Sequence, residues 1–342
     1  MRNTLVLIPA YQPDKVLVSL AEQLLSQGVD VVVVNDGSST DKKEVFDRVS
    51  QTGAAVLGYE TNHGKGYALK YGLQWAWDNG YTTVVTADAD GQHTVPDIVN
   101  IGKKAEEHKG ALVLGARNKA EMPPKSKAGN TLTCWLFHAL KGVKISDTQT
   151  GLRGFVLTEE SIAQLCTLEG DRYEYETNML IESPKIFTEI VEVPIETVYE
   201  PGNPTSHFRP IKDGMRIYRL LFRQFPVFAL ASFMSFLVDY LLFNMAVYKA
   251  GIAVVSATVV ARIISGVFNF LLNKYMVFKG AGKYYTLWRY ALLAVTVLAV
   301  NCGLIWLMTD VLRIAPWFAK ILVELTVYFI NFFIQSHMTQ KD

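Results

Sequence analysis

The chain's densest run of metal-binding chemistry is Asp88-Ala89-Asp90-Gly91-Gln92-His93, directly behind the apolar Val84-Val85-Thr86-Ala87. Two carboxylates at i and i+2 after a strand offer hard oxygen ligands suited to Mg2+ or Mn2+, with Gln92 as a further ligand. A cation held there would neutralise a diphosphate and help it depart. Other polar clusters follow apolar runs in the same way. Ile8-Pro9-Ala10-Tyr11 closes the first run, and Asn35-Asp36-Gly37-Ser38-Ser39-Thr40-Asp41 follows Val31-Val32-Val33-Val34. Asp36 can accept hydrogen bonds from a base or ribose, although turn and capping chemistry explains the same cluster. Asn62-His63-Gly64-Lys65-Gly66 opens a helix, where small residues and Lys65 could approach a diphosphate. Its spacing is not that of a P-loop, so ATP hydrolysis is a poor reading.

The elements that must position these clusters alternate. Short apolar runs predict strands at 4-8, 30-35, 54-59, 82-87 and 111-115, and helices are expected near 15-27, 40-51, 64-79 and 96-108. The pattern implies an open α/β fold with a mostly parallel sheet, whose ligands gather at the carboxyl ends of strands. Leu5-Val6-Leu7-Ile8 is too short, and too soon followed by Pro9, for a secretory signal. Cys134, Cys166 and Cys302 have no metal-ligand spacing and read as reduced thiols.

Charge and hydropathy divide the 342 residues. The first 205 carry 27 acidic against 19 basic side chains, whereas residues 206–342 carry 14 basic against 5 acidic. An acidic domain joined to a basic membrane module fits that split, and nothing in it suggests a nucleic-acid partner. Four apolar segments, about 225-248, 252-273, 287-309 and 314-336, each suffice to cross a hydrocarbon layer of roughly 30 Å. Basic residues cluster before the first segment and between the second and third, which predicts cytoplasmic termini. Residues 209-224 are expected to form an interfacial helix, with Ile211, Met215, Tyr218 and Phe222 on its apolar face and arginines toward anionic lipids. Asp239, Arg262 and Glu324 fall at mid-span and are expected to face one another, as a clamp or as a polar path. Asn269 is placed to cross-link helices. The bundle edges offer surfaces for self-association.

Taken in order, these motifs resemble those of family 2 glycosyltransferases, in the dolichyl- or polyprenyl-phosphate sugar synthase branch. To the clusters above they add Gly115-Ala116-Arg117, Asp147-Thr148-Gln149-Thr150-Gly151-Leu152-Arg153-Gly154-Phe155, Tyr173-Glu174-Tyr175-Glu176 and Ser206-His207-Phe208-Arg209-Pro210. The set covers roughly residues 4-215. Where the family carries Asn-Glu after the first tyrosine, this chain has Gln12-Pro13, leaving backbone contacts there. Residues 225-338 resemble the GtrA-like four-helix membrane domain, through Phe233-Met234-Ser235-Phe236-Leu237-Val238-Asp239, Ala261-Arg262-Ile263-Ile264-Ser265 and Asn269-Phe270-Leu271-Leu272-Asn273-Lys274.

The resemblance implies a GT-A-like α/β domain (1-208) followed by an all-α transmembrane domain. It places Pro9, Ala10, Tyr11, Asp36, Gly64 and Lys65 at the nucleotide, and Asp88, Asp90 and Gln92 at the diphosphate and metal. Arg117, Lys127 and Arg209 would clamp an acceptor phosphate. Asp147, Gln149 and Arg153 would line the sugar and acceptor region, while Glu174 and Glu176 have no separable roles. The activity implied is inverting transfer of one sugar from a nucleotide diphosphate sugar, UDP-glucose before GDP-mannose, to a polyprenyl phosphate. A lipid phosphate is already nucleophilic and needs no strong base, although Asp147 stays open as a proton acceptor. Two alternatives are a processive glycan synthase, whose Gln-x-x-Arg-Trp signature is absent, and a non-catalytic sugar-lipid transporter or scaffold.

Overall fold

Valine, isoleucine and leucine fill the first strands because interior strands of a parallel sheet are covered on both faces and have no solvent side. The structure, a computed structural model, describes residues 3–196, 210–252, 254–278, 286–314 and 316–338. It comprises two units: Met1–Cys134 with Ile145–Leu220, and Trp135–Lys144 with Leu221–Asp342.

In the first unit the order is β1 (Thr4–Ala10), α1 (Val16–Ser26), β2 (Asp30–Asp36), α2 (Lys43–Gln51), β3 (Ala55–Tyr59), α3 (Lys65–Asp78), β4 (Thr83–Thr86), α4 (Val95–Glu107) and β5 (Ala111–Arg117). It continues with α5 (Pro124–Lys141), β6 (Arg153–Val156), α6 (Glu159–Thr167), α7 (Glu174–Ile186), β7 (Glu189–Ile195) and α8 (Pro210–Leu221). Every residue of β1 is buried. Helix starts are marked locally: the Thr94 hydroxyl accepts from Asp97 N at 3.3 Å before α4, and Thr158 and Ser161 form a reciprocal capping box before α6. All five strands and four helices expected before residue 117 are present.

The sheet runs β3-β2-β1-β4-β6-β5-β7. Strands β1, β2, β3 and β4 are mutually parallel, and β5 pairs parallel with β7. Between the two groups β6 runs antiparallel, with Arg153 opposite both Thr86 and Leu114. An antiparallel strand begins where its parallel neighbours finish. The loop before β6, residues 147–152, therefore arrives at the same sheet end as Asp36, Asp88 and Arg117. Strands are added to one side of β1 as far as β3 and then to its other side from β4, so the strand order reverses between β1 and β4, the switch point at which open α/β sheets leave a crevice.

The second unit is helical: α9 (Phe225–Asn244), α10 (Val254–Leu272), α11 (Leu287–Trp306) and α12 (Pro316–Met338), the first three each prolonged by a five-residue π-turn. Among the described residues one segment, Phe225–Lys249, passes by itself for a membrane span in length and apolar character. The Phe332 ring packs 5.1 Å from that of Phe225 and 5.2 Å from that of Phe228. The expected cross-link forms: Asn269 Nδ2 donates to Tyr290 Oη at 2.7 Å, and fully buried Asn273 donates to Gln335 Oε1 at 3.1 Å. Asp239 accepts from Ser265 Oγ at 2.9 Å, but the Arg262 and Glu324 side chains expected beside it lie outside the described residues.

The α/β domain was expected to run to 208; within that range Trp135–Lys144, which includes the end of α5, belongs to the helical unit. Trp135 packs 5.8 Å from Phe333, and Ser336 Oγ donates to Leu140 O at 2.7 Å. In α8 Asp213, Ile217 and Leu221 are buried, and Met215, on the face expected to meet lipid, is 60% exposed.

Candidate functional site

At the end of β2, Asp36 is 3% exposed and saturated. It accepts from Tyr59 Oη at 2.9 Å, Asn62 Nδ2 at 2.8 Å, His63 N at 2.9 Å and Gly64 N at 3.0 Å. Burial and then the Asp36 charge push the Tyr59 phenol well above its ordinary value, keeping it a donor. Asp36 thus holds the 62–64 loop against β2. The two glycines expected to admit a diphosphate admit protein instead. A Cβ at Gly64, where φ is +111°, would lie 2.5 Å from Asp171 O, and one at Gly66 would lie 2.5 Å from Tyr175 Cβ.

Asp88 follows β4 and gathers the charge of the site. Lys65 Nζ, from the first residue of α3, is 2.6 Å from Asp88 Oδ1 and 2.9 Å from Glu176 Oε1 on α7. His93 Nε2 stands 3.4 Å from Asp88 Oδ2. Gly151, in the loop before β6, lies so close that a Cβ there would overlap both Asp88 oxygens. Burial works to raise the Asp88 carboxyl, but Lys65 and His93 outweigh it and hold it well below the usual range. Burial and the neighbouring Asp88 charge push Asp90 up. Burial likewise opposes charge on Lys65, yet Asp88 and Glu176 prevail and keep it protonated.

Arg117, the last residue of β5, forms a second centre. Its Nε and Nη2 donate to Asp147 Oδ2 and Oδ1 at 2.7 and 3.0 Å, and its backbone N donates at 3.3 Å. Asn130 Nδ2 and Gln149 N each add a bond to Asp147 at 3.0 Å. Asp147 is fully buried; burial would raise its carboxyl, but Arg117 brings it below the ordinary value. A carboxylate accepting five hydrogen bonds is a poor proton acceptor and a good support for Arg117. Arg153 is 1% exposed, with Nε donating to Thr150 O at 3.1 Å and Nη1 to Glu176 O at 2.7 Å. It ties the 147–153 loop to α7.

Pro9 and Ala10 are buried at the end of β1, and Tyr11 beyond them is 38% exposed. Gln12, in the left-handed region at φ 52°, donates its N–H to Ser38 Oγ at 2.9 Å, joining the loops after β1 and β2. The Gln149 side chain and Lys127 on α5 are exposed; Arg209 lies outside the described residues. The sequence reading missed three contributors. His93 stood in a quoted motif, Gly151 was noted only as part of a run, and Asn130 carried no local signal.

The donor set fits a hard divalent cation. Asp88, Asp90 and Gln92 provide oxygen ligands, and buried His93 has its Nε2 3.4 Å from Asp88 Oδ2. Among the described residues no three His, Cys, Asp or Glu side chains form a complete cage. A cation here would rely on two carboxylates and fill its shell from phosphates and water, as Mg2+ commonly does.

Residues 5–156 match the model of glycosyl transferase family 2, and residues 227–340 match that of the GtrA/DPMS transmembrane domain. The UDP-N-acetylglucosamine--dolichyl-phosphate N-acetylglucosaminyltransferase of Methanococcus voltae is 29% identical over 243 residues, covering 63% of this chain and 94% of that protein. An uncharacterized protein of Methanocaldococcus jannaschii is 30% identical over 225 residues, covering 64% of this chain and 91% of its own. Glucosyl-3-phosphoglycerate synthase of Mycobacterium tuberculosis, crystallised with Mn2+, UDP-glucose and phosphoglyceric acid, is 20% identical, with a TM-score of 0.47 over 64% of this chain and 77% of that one. The chain belongs to glycosyl transferase family 2, and its second unit is a GtrA/DPMS transmembrane domain. It is a membrane-attached glycosyltransferase.

Proposed function

We propose that the chain transfers a single sugar, with inversion, from a nucleotide diphosphate sugar to a polyprenyl phosphate at the cytoplasmic membrane face. The observation that carries this reading is the cation-ready pair Asp88 and Asp90 at the switch point of a domain fused to an apolar helical unit. The dolichyl phosphate named as acceptor of the Methanococcus voltae relative supports a lipid phosphate here.

In the reaction an oxygen of the acceptor phosphate bonds to the anomeric carbon as the bond from that carbon to the diphosphate oxygen breaks. The electron pair leaves with the nucleoside diphosphate. The phosphate dianion carries no proton on its attacking oxygen, so atoms and charge balance without a protein base. This agrees with an Asp147 wholly engaged by Arg117, Asn130 and Gln149. A divalent cation held by Asp88, Asp90 and Gln92 would supply charge stabilisation to the departing diphosphate. The protein's own part is orientation and charge. Arg117, fixed in direction by Asp147, meets the acceptor phosphate with help from Lys127 and Arg209. Lys65 adds positive charge beside the diphosphate, and Asp36 shapes the nucleotide end through the 62–64 loop. Four membrane spans with both termini cytoplasmic, anionic lipid contacts along α8 and homo-oligomer contacts through the bundle complete the proposal.

UDP-glucose is the favoured donor, then GDP-mannose; the relative's name adds UDP-N-acetylglucosamine to the panel. Each radiolabelled donor, incubated with the full-length chain and a defined polyprenyl phosphate, distinguishes the readings. One sugar per butanol-extractable lipid is expected. Polymer would indicate a processive synthase, and no turnover with any donor a transporter or scaffold.

A further inference from the structure

Glu176 is rigidly presented. Its backbone oxygen accepts from Arg153 Nη1 at 2.7 Å. The segment before it is fastened to α3: Tyr67 N donates to Asp171 O at 3.0 Å, Lys70 Nζ pairs with Asp171 Oδ1 at 2.7 Å, and Gly64 and Gly66 leave room for Asp171–Tyr175 alone. The Glu176 side chain, 10% exposed, points at Lys65 Nζ, which is 16% exposed and lies between Glu176 and Asp88. The approaches to Asp88 are crowded: Lys65 stands at one oxygen, His93 at the other, and Gly151 behind both. A cation coordinating Asp88 would sit within a few ångströms of the Lys65 ammonium if that ammonium stayed. Two positive charges so near, in a site largely shielded from water, repel strongly.

We infer that Lys65 is the site's resident counter-ion, surrendered by Asp88 when a divalent cation binds and kept in place by Glu176. The inference rests on the metal reading above and gives Glu176 a role distinct from that of Glu174, whose Oε2 is buried without a partner. Glu176 is a positioning residue acting through Lys65. Released from Asp88 but held by Glu176, the ammonium remains beside the diphosphate and turns from a competitor of the metal into its helper. Without Glu176 it loses its second carboxylate, keeping only the Tyr173 ring 6.0 Å away, and metal entry leaves its charge without an anionic partner.

The test is a double-mutant cycle read as Mn2+ affinity, by calorimetry or the electron paramagnetic resonance of free Mn2+, on the full-length chain in detergent without substrates. Lys65→Met is expected to tighten Mn2+ binding about tenfold, a usual coupling for charges in one network, because no ammonium has to be displaced. Glu176→Gln is expected to weaken it by about the same factor in the native background and to change nothing when Lys65 is already methionine. Equal weakening in both backgrounds would make Glu176 a mere nearby charge and overturn the inference, as would a Lys65→Met chain that binds no tighter. Asp90→Ala separates the two ideas. If it lowers affinity while the cycle shows no coupling, the counter-ion inference alone fails; if it leaves affinity untouched, the metal reading fails and takes the inference with it. Circular dichroism checks folding, and Lys65→Gln takes the place of Lys65→Met if that chain does not fold.

Discussion

Asp147→Asn keeps the shape of a fully buried side chain and removes its charge, so it isolates what the Arg117 pair contributes. In the native site one oxygen accepts from Arg117 Nε and N, and the other from Arg117 Nη2, Asn130 Nδ2 and Gln149 N. Whichever oxygen becomes an amide nitrogen, its N–H groups face at least two donors. Breaking a buried ion pair from one side costs about 3–5 kcal/mol, and the Arg117 side chain, 18% exposed, recovers some hydration, which points to the lower end. For a unit of about 200 residues, a loss of about 3 kcal/mol lowers the melting temperature by roughly 6–12 °C. Scanning calorimetry of the detergent-solubilised chain measures this directly. The pH dependence has a definite sign. The folded carboxyl of Asp147 lies below its ordinary value, so its stabilisation is present above the unfolded pKa, about 3.9, and is lost as pH falls through the lower folded value. The gap between native and Asp147→Asn chains should therefore be full near neutrality and close only in strong acid. A variant that melts with the native chain yet transfers no sugar would refute the reasoning and return Asp147 to the chemistry.

Asp90→Ala should abolish Mg2+- or Mn2+-dependent transfer and leave membrane insertion intact, checked by fractionation beside the radiolabelled assay. Gly151→Ala places a methyl against the Asp88 carboxylate; Mn2+ affinity should fall about tenfold or more, a loss of about 1.4 kcal/mol, in the calorimetric titration. Asp36→Ala removes the acceptor that holds Asn62, His63 and Gly64 of the 62–64 loop and the Tyr59 hydroxyl, and the KM for the sugar donor should rise more than kcat falls in steady-state assays. Asn273→Leu removes the amide that meets Gln335, costing about 1 kcal/mol of helical-unit stability in a detergent melt, while transfer chemistry persists.

The first half of the α/β domain was legible because its signals are local. A run such as Val31-Val32-Val33-Val34 can only be an interior strand, and a polar cluster behind it marks the carboxyl end. Beyond Arg117 that legibility ended. Helix α5 is only weakly amphipathic and is shared between the two units, and β6 is a four-residue strand whose antiparallel direction no residue of it declares. The motif around Asp147 was conspicuous, but its task was not, because it depends on partners at Arg117 and Asn130. Burial separated the candidates further: Arg153 and Asp147 are enclosed among protein partners, while Glu176, quoted in a motif without a separable role, meets Lys65 across a separation of 111 positions.

Residue types and their order determined the chemistry on offer: a carboxylate pair after a strand, basic side chains for phosphates, and apolar stretches long enough for lipid. These follow from covalent identity and short-range periodicity, which no tertiary context alters. Which oxygen accepts which proton, which glycine makes room for protein and which for ligand, and which charge neutralises which were decided only by folding. Those properties belong to pairs of groups, and a pair separated by a hundred residues exists only once the sheet has brought its two ends together.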